Sequence, residues 1–411
     1  MKIGILNSLS YNLLINLTNV AIPVLLTPFY IQQFGISGFG VLSLCFAFAN
    51  YVSTITDYSW ATRGPAKIIE FKFSKRLLSD FISNAFVCKF VLIIPTLIAL
   101  IVVILSNKTF KSDLLLSFSL LCLALGRFQN AHWIFIGINK LKIYFLINFI
   151  IKIILILSIF SFGKHNKIWL INVLLGISDL SISVLSYIFL LFKGIFTLKK
   201  INIHQIITEL SEGSTYVASN FLSTSLINSN TIILSYFFEP SLLGIFGVAE
   251  KIILLQKHSM GVLFQGIYPL FCGLFNQNKS SVNSFVKNIH LSFISIYGFL
   301  MINILFFSNT IVAFFTTDYI PKISVILRFL SVSPLIASFY QVPLMYFYLF
   351  KPKVVSNAYM IAFFVNLILM ISGVVVLGLY GAVLSMVFTE TFIAFYLNKY
   401  SNQTGLKLYG L

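Results

Sequence analysis

Twelve apolar runs, each close to the length that crosses a bilayer, take up nearly the whole chain. Charges and Gly, Asn or Pro clusters separate them and place spans near 6–30, 38–62, 81–105, 113–135, 143–162, 168–192, 214–238, 244–272, 285–310, 322–350, 354–376 and 380–398. Of 411 residues, 58% are hydrophobic and only 9% charged. That is too little charge to cover a soluble domain, so the chain reads as an all-α polytopic membrane protein.

A net charge of +17 raises the question of nucleic acid. No segment is long and polar enough to form a soluble basic domain, so no nucleic-acid partner is expected. Lys and Arg asymmetry explains the charge instead. With the N-terminus inside, 17 fall on cytoplasmic segments, 5 on outer ones and 6 within spans, which accounts for all 28. Both termini are expected to be cytoplasmic, with attraction to anionic lipid headgroups as a by-product. Lys2 and the apolar stretch after it resemble a signal peptide, but no small-residue cleavage site follows, so an uncleaved first span is expected. The four cysteines lie in apolar runs without metal-ligand spacing and read as small buried residues.

The longest polar break, "FKGIFTLKKINIHQIITELSEGS", divides the spans six and six: a bundle over 1–200, a cytoplasmic linker over 201–213 and a second bundle over 214–411. An offset of 204 residues aligns Ser10 with Ser214, Thr27 with Thr231, Ser37 with Ser241 and Gly40 with Gly244. The polar stripe of span 1, with Asn12, Asn16 and Asn19 on one helical face, finds counterparts in Tyr216 and Asn220 of span 7. Six spans per half make such a repeat parallel, about an axis normal to the membrane.

Ionisable residues inside spans carry the chemistry. The bases are Lys89, Arg127, Lys152, Lys251, Lys257 and Arg328; the acids are Asp57, Asp179, Glu250 and Glu390. Each base costs about 2.5–3.5 kcal/mol near a helix centre, so six facing lipid would cost on the order of 15–20 kcal/mol. Lys89 and Arg328 sit near span ends, where snorkelling is the plain reading. Arg127, Lys152 and Lys257 lie deeper and point to an aqueous interior. In span 8, Glu250, Lys251, Lys257, His258, Gly261 and Gln265 share one side. His258 is a proton-relay candidate there, against the plain reading of a structural histidine.

A base-lined interior suits an anion such as a diphosphate. Arg127, Lys152, Lys257, Lys89 and Arg328 are the candidate substrate-binding cations. Asp57, Asp179, Glu250, Glu390 and His258 are candidates for ion coupling or charge pairing. Asn12, Asn16, Asn19, Tyr216 and Asn220 are candidate glycan contacts, against a plain role as glue between helices. In "TDYSWATRGPAK" (56–67), Arg63 reads as a cytoplasmic anchor, Gly64-Pro65 as the helix end, and Asp57 as the functional candidate. There is no Walker motif, zinc-ligand spacing, GxSxG or acidic pair in a loop, and the outer loops are too short for a sugar-transfer site, so neither an enzyme nor a cofactor is expected.

Several features, taken in order, are similar to the Wzx polysaccharide flippases of the multidrug/oligosaccharidyl-lipid/polysaccharide exporter superfamily. They are the Pro23 and Pro28 pair, the FG-x-x-GFG turn at 34–40, Asp57-Tyr58 followed by Arg63, "ELSEGSTYVASNF" at the start of span 7 and "FGVAEKI" at 246–252. The chain departs from the family at Ser59, where Gly is common, and in lacking Pro in "SEGSTYVASN". The resemblance implies two six-helix bundles forming a V around a cationic central cavity. It also implies alternating access and suspected ion coupling. The implied substrate is an O-antigen oligosaccharide unit on undecaprenyl diphosphate, moved from the cytoplasmic to the periplasmic leaflet of a bacterial inner membrane. An O-antigen polymerase and a chain-length regulator are the further candidate partners. The rivals are a multidrug exporter of the same superfamily, whose mostly cationic substrates suit a base-rich lining poorly, and an O-antigen polymerase, which should carry a long periplasmic loop.

Overall fold

The computed structural model describes residues 2–162, 167–197, 203–275, 279–316 and 320–402, and every described element is helical. Nine segments among them are long and apolar enough to cross a membrane. Large apolar side chains stand exposed along the helices of these segments, among them Ile94, Val102, Leu157, Phe306 and Ile368. Such faces, on helices long and apolar enough to cross a bilayer, suit contact with lipid.

The chain forms two compact units. Unit 1 comprises Met1–Asn19 and Val41–Tyr236; unit 2 comprises Val20–Gly40 and Phe237–Leu411. Helix α1 (Lys2–Leu25) is followed by α2 (Thr27–Asp57), which turns at Gly35 (φ 69). Unit 1 continues with α3 (Trp60–Glu70), a 3-10 turn at Phe71–Phe73, α4 (Lys75–Ser106), α5 (Lys108–Lys111), α6 (Leu114–Arg127), α7 (His132–Gly137), α8 (Leu141–Phe162), α9 (Ile168–Phe192) and α10 (Ile203–Phe237). Unit 2 contains α11 (Pro240–Phe275), α12 (Lys279–Phe315), α13 (Pro321–Leu330), α14 (Val332–Ser338), α15 (Gln341–Phe350), α16 (Pro352–Leu377) and α17 (Leu379–Asn402).

Three runs that read as single spans are interrupted helices. Span 2 breaks between α2 and α3, where Tyr58 adopts a left-handed backbone (φ 52). Span 4 breaks between α6 and α7, and span 10 breaks after α13 and again after α14. The Gly64-Pro65 pair does not end a helix as expected: α3 runs through it, and the break lies at Tyr58. Gly64 serves packing instead, because a Cβ there would stand 2.3 Å from the Trp133 ring of α7. Trp60, Trp133, Phe81, Phe135 and Tyr144 make this the aromatic core of unit 1, with Phe81 edge-on to Trp133 at 5.8 Å.

Within unit 2, the offset of 204 residues has a physical counterpart. A Cβ on Gly40 would stand 2.0 Å from the Pro240 carbonyl oxygen, and one on Gly244 would stand 1.9 Å from that of Ile36. Residues 36 and 40 thus meet 240 and 244 reciprocally, the arrangement a two-fold relationship produces. Only glycine allows backbones this close.

Candidate functional site

The breaks in spans 2 and 4 release backbone groups that an apolar medium cannot satisfy. Lys89, on α4, is fully buried and reaches both breaks. Its Nζ donates to Asp57 Oδ1 at 3.0 Å, at the end of α2, and to the Asn130 carbonyl at 2.9 Å, just past α6. A cation at two helix C-termini complements both dipoles. Asn130 Oδ1 accepts from the His132 backbone N–H (2.9 Å), and Gln129 Nε2 donates to the Phe86 carbonyl (3.1 Å). Lys89 therefore does not snorkel; it is a clasp, and Asp57 is its counter-ion.

A second cluster forms where α6, α8 and α9 meet. Gly126 and Gly176 bring α6 and α9 into backbone contact: a Cβ on Gly126 would stand 2.2 Å from the Gly176 carbonyl oxygen. One turn further along α9, Asp179 faces the end of α6. Its Oδ2 accepts from Arg127 Nε at 3.1 Å and its Oδ1 from Lys152 Nζ at 2.8 Å. One carboxylate cannot neutralise two cations, so the trio keeps one excess positive charge. Arg127 Nη1 also donates to Asn50 Oδ1 (2.7 Å), Asn50 Nδ2 to Asn228 Oδ1 (3.0 Å), and Asn228 Nδ2 to the Thr224 carbonyl (3.0 Å). The charged side chains remain partly accessible, at 21% for Arg127, 12% for Lys152 and 19% for Asp179. Sequence reasoning missed Asn50 and Asn228. The signal available was an amide inside an apolar run, which needs a partner in a membrane.

Arg63 departs from its expected role as a headgroup anchor. It is 7% exposed, and its guanidinium spans two acids of α10, with Nη2 to Glu209 Oε2 at 2.5 Å and Nη1 to Glu212 Oε2 at 2.8 Å. The acids lie three residues apart, hence on one helical face, which suits a planar fork of donors. Tyr58 adds a hydrogen bond from its hydroxyl to the Leu210 carbonyl at 2.8 Å. Burial pushes the Glu209 carboxyl above its usual range, and the Arg63 charge opposes that shift.

In unit 2, Lys257 of α11 forms an ion pair with Glu390 Oε1 of α17, and the Tyr340 hydroxyl donates to Glu390 Oε2 at 2.7 Å. Tyr340 sits at the break between α14 and α15. Lys257, Gly261 and Gln265 line one cavity with Tyr340 and Glu390. The face expected on span 8 is thus narrower than its sequence pattern. Glu250 is buried, while His258 is exposed and away from the cavity lining. Arg328 stands apart, donating from Nε to Ser308 Oγ at 2.7 Å and from Nη2 to Asn309 Oδ1 at 3.2 Å.

Among the candidate glycan contacts, Asn19 Oδ1 accepts from Asn148 Nδ2 at 3.3 Å, a contact that ties α1 to α8. Asn12 and Asn16 are half-buried on the same helix. The side chains of Tyr216 and Asn220 lie outside the described residues.

Comparison with known proteins fits this architecture. A candidate O-antigen transporter of Escherichia coli (strain K12) is 22% identical over 273 residues, which is 65% of each chain; the present chain thus spans 65% of that relative's length. Among solved structures, an outward-facing multidrug resistance MATE family transporter of the MOP superfamily superposes with a TM-score of 0.64 at 14% identity, over 97% of this chain and 95% of that one. An inward-facing structure of such a transporter gives 0.62 at 14% identity, over 98% and 96%. A Vibrio cholerae MATE transporter gives 0.58 at 12% identity, over 99% and 98%. At these identities the likeness is one of fold, an all-helical membrane transporter fold. The pattern of one family, described as polysaccharide biosynthesis protein, matches residues 5–275, well over half of the sequence. The chain belongs to the polysaccharide biosynthesis protein family.

Proposed function

We propose that the protein is a flippase, a transporter and not an enzyme, that moves undecaprenyl-diphosphate-linked O-antigen oligosaccharide units from the cytoplasmic to the periplasmic leaflet of a bacterial inner membrane. The observation that carries this reading is the sharing of Asp179 by Arg127 and Lys152. The excess positive charge, partly accessible and flanked by amides, suits the diphosphate, which several charge-assisted hydrogen bonds would hold in a weakly screening interior. The prenyl tail stays in lipid. Twelve spans, six in 1–200 and six in 214–411, with both termini cytoplasmic, complete the proposed topology, and transport proceeds by alternating access. Asp179 is the proposed coupling group: protonation frees both cations for the diphosphate, and deprotonation recaptures them. An O-antigen polymerase and a chain-length regulator are proposed partners downstream.

A multidrug exporter of the same superfamily is the second reading, favoured by the fold of the MATE transporters. An excess cation beside the proposed site opposes cationic drugs. A leaflet-resolved assay of lipid-linked glycan in a deletion strain separates the readings. Accumulation on the cytoplasmic face supports the flippase. Accumulation of single units on the periplasmic face points to a polymerase, and an unchanged distribution with new drug sensitivity points to an exporter.

A further inference from the structure

The cavity of unit 2 has a volume of about 510 Å³, within the ~300–1,000 Å³ range of small-molecule sites. Its chemistry differs from that of the Asp179 cluster. Lys257 and Glu390 neutralise each other, so the cavity carries no excess charge. Around this pair stand the Tyr340 hydroxyl and the Gln341 amide, where the break after α14 passes into α15. The opposite character comes from three rings. Phe264 and Tyr268 stack at 5.5 Å with planes 12° apart, and Tyr348 meets Phe264 edge-on at 6.0 Å.

Each ligand class makes a different demand on this lining. A hydrocarbon would leave Lys257, Glu390 and Gln341 without water and without new partners, which costs free energy for every buried polar group. A cationic drug would have to displace Lys257 from Glu390, and an anion would have to displace Glu390 from Lys257. An uncharged polyhydroxy ring meets none of these obstacles. Its C–H face packs on the aromatic rings, while its hydroxyls donate to the Glu390 carboxylate and to the Tyr340 hydroxyl oxygen and accept from Lys257 and Gln341. Interrupted spans leave polar groups exposed at membrane depth, and irregular backbone is tolerated there where it lines a cavity.

We propose that the cavity formed by α11, α15, α16 and α17 in unit 2 is a binding subsite for one uncharged sugar ring of the transported glycan, separate from the cations proposed for the diphosphate. This deepens the transporter reading above and rests on it for the source of the sugar.

The test uses purified full-length protein in lipid nanodiscs and free monosaccharides, so that neither lipid nor diphosphate contributes. Saturation-transfer NMR would be recorded with glucose, N-acetylglucosamine and glucuronate. The variants are Tyr268→Ala and Gln341→Ala, each checked for an unchanged elution profile and melting temperature. Binding of a neutral sugar is expected, weakened about tenfold or more by each of the two. Preference for glucuronate, binding that both cavity variants leave unchanged, or no binding of any sugar would overturn the proposal. Should one cavity variant fail to fold, the other decides alone. Sugar binding without leaflet transfer keeps the subsite and removes the flippase reading; transfer without sugar binding does the reverse.

Discussion

Lys152 Nζ lies 2.8 Å from Asp179 Oδ1, although Arg127 already occupies the other oxygen of that carboxylate. A solely structural ion pair needs one base per acid. The second base is surplus to charge balance, and its desolvation needs another justification. An anionic ligand supplies one. Removing the surplus should therefore damage transport more than folding. Lys152→Met leaves the Arg127–Asp179 pair neutral and is expected to shift the melting temperature little while cutting surface glycan severely. Asp179→Asn leaves two neighbouring cations without a counter-ion and is expected to cost about 2–4 kcal/mol, somewhat below the figure for a fully buried pair because these groups are partly accessible. Thermal unfolding in nanodiscs, beside surface-glycan staining, checks both.

The Lys89 clasp predicts the opposite pattern. Lys89→Met leaves the partly accessible Asp57 carboxylate and the Asn130 carbonyl without their cation, at a cost of about 2–4 kcal/mol. The double variant Asp57→Asn, Lys89→Met removes the stranded charge and should recover part of that loss, which a double-mutant cycle measures. If the two single losses simply add, the clasp is not an ion pair of consequence.

Glu209 sets a pH dependence of unusual sign. Its carboxyl sits above the ordinary value of 4.5, because burial outweighs the Arg63 charge. The group therefore binds its proton more readily in the folded protein than in the unfolded chain. Its stabilising contribution is complete below the unfolded value and is lost as pH rises through the folded one. Glu209→Gln, with Arg63 still held by Glu212, should melt higher than the wild type at neutral pH, and the gap should close as the pH falls towards 4.5. Melting curves of the two proteins across that window give the answer; a gap that widens on acidification contradicts it.

Gly176 is expected to tolerate no side chain. A Cβ would stand 2.6 Å from the Cys122 carbonyl oxygen, forcing α9 away from α6. Gly176→Ala should destabilise by about 1–3 kcal/mol. It should also lower transport beyond that loss, because the same helix contact aligns Asp179 with Arg127. Melting temperature and surface glycan, measured together, separate the two effects.

What could be read in the sequence and what could not follow from range. The apolar runs are local, and so are the steric cost of Pro and the price in free energy of each deep charge. Residues such as Asp179, Arg127 and Lys257 announce themselves as costly one by one. Their pairings join positions 52 and 133 residues apart, and only tertiary structure decides them. The "ELSEGSTYVASNF" segment was legible as a span boundary, but nothing local shows that Glu209 and Glu212 receive Arg63. The break at Tyr58 is hidden for a related reason. A bulky aromatic in a left-handed backbone carries no turn signature, and the conformation persists because the surrounding structure holds it, including the bond from its hydroxyl to Leu210. Gly64-Pro65 carries the local signature of a helix end, yet its glycine answers to Trp133.

The most direct measurement reconstitutes the purified protein in vesicles holding undecaprenyl-diphosphate-linked oligosaccharide and follows glycan exposure to a membrane-impermeant oxidant. The wild type should transfer glycan between leaflets, and the Lys152→Met variant, which keeps the Arg127–Asp179 pair, should do so at least about tenfold more slowly at nearly unchanged melting temperature. No transfer by the wild type, or equal transfer by the variant, would contradict the account.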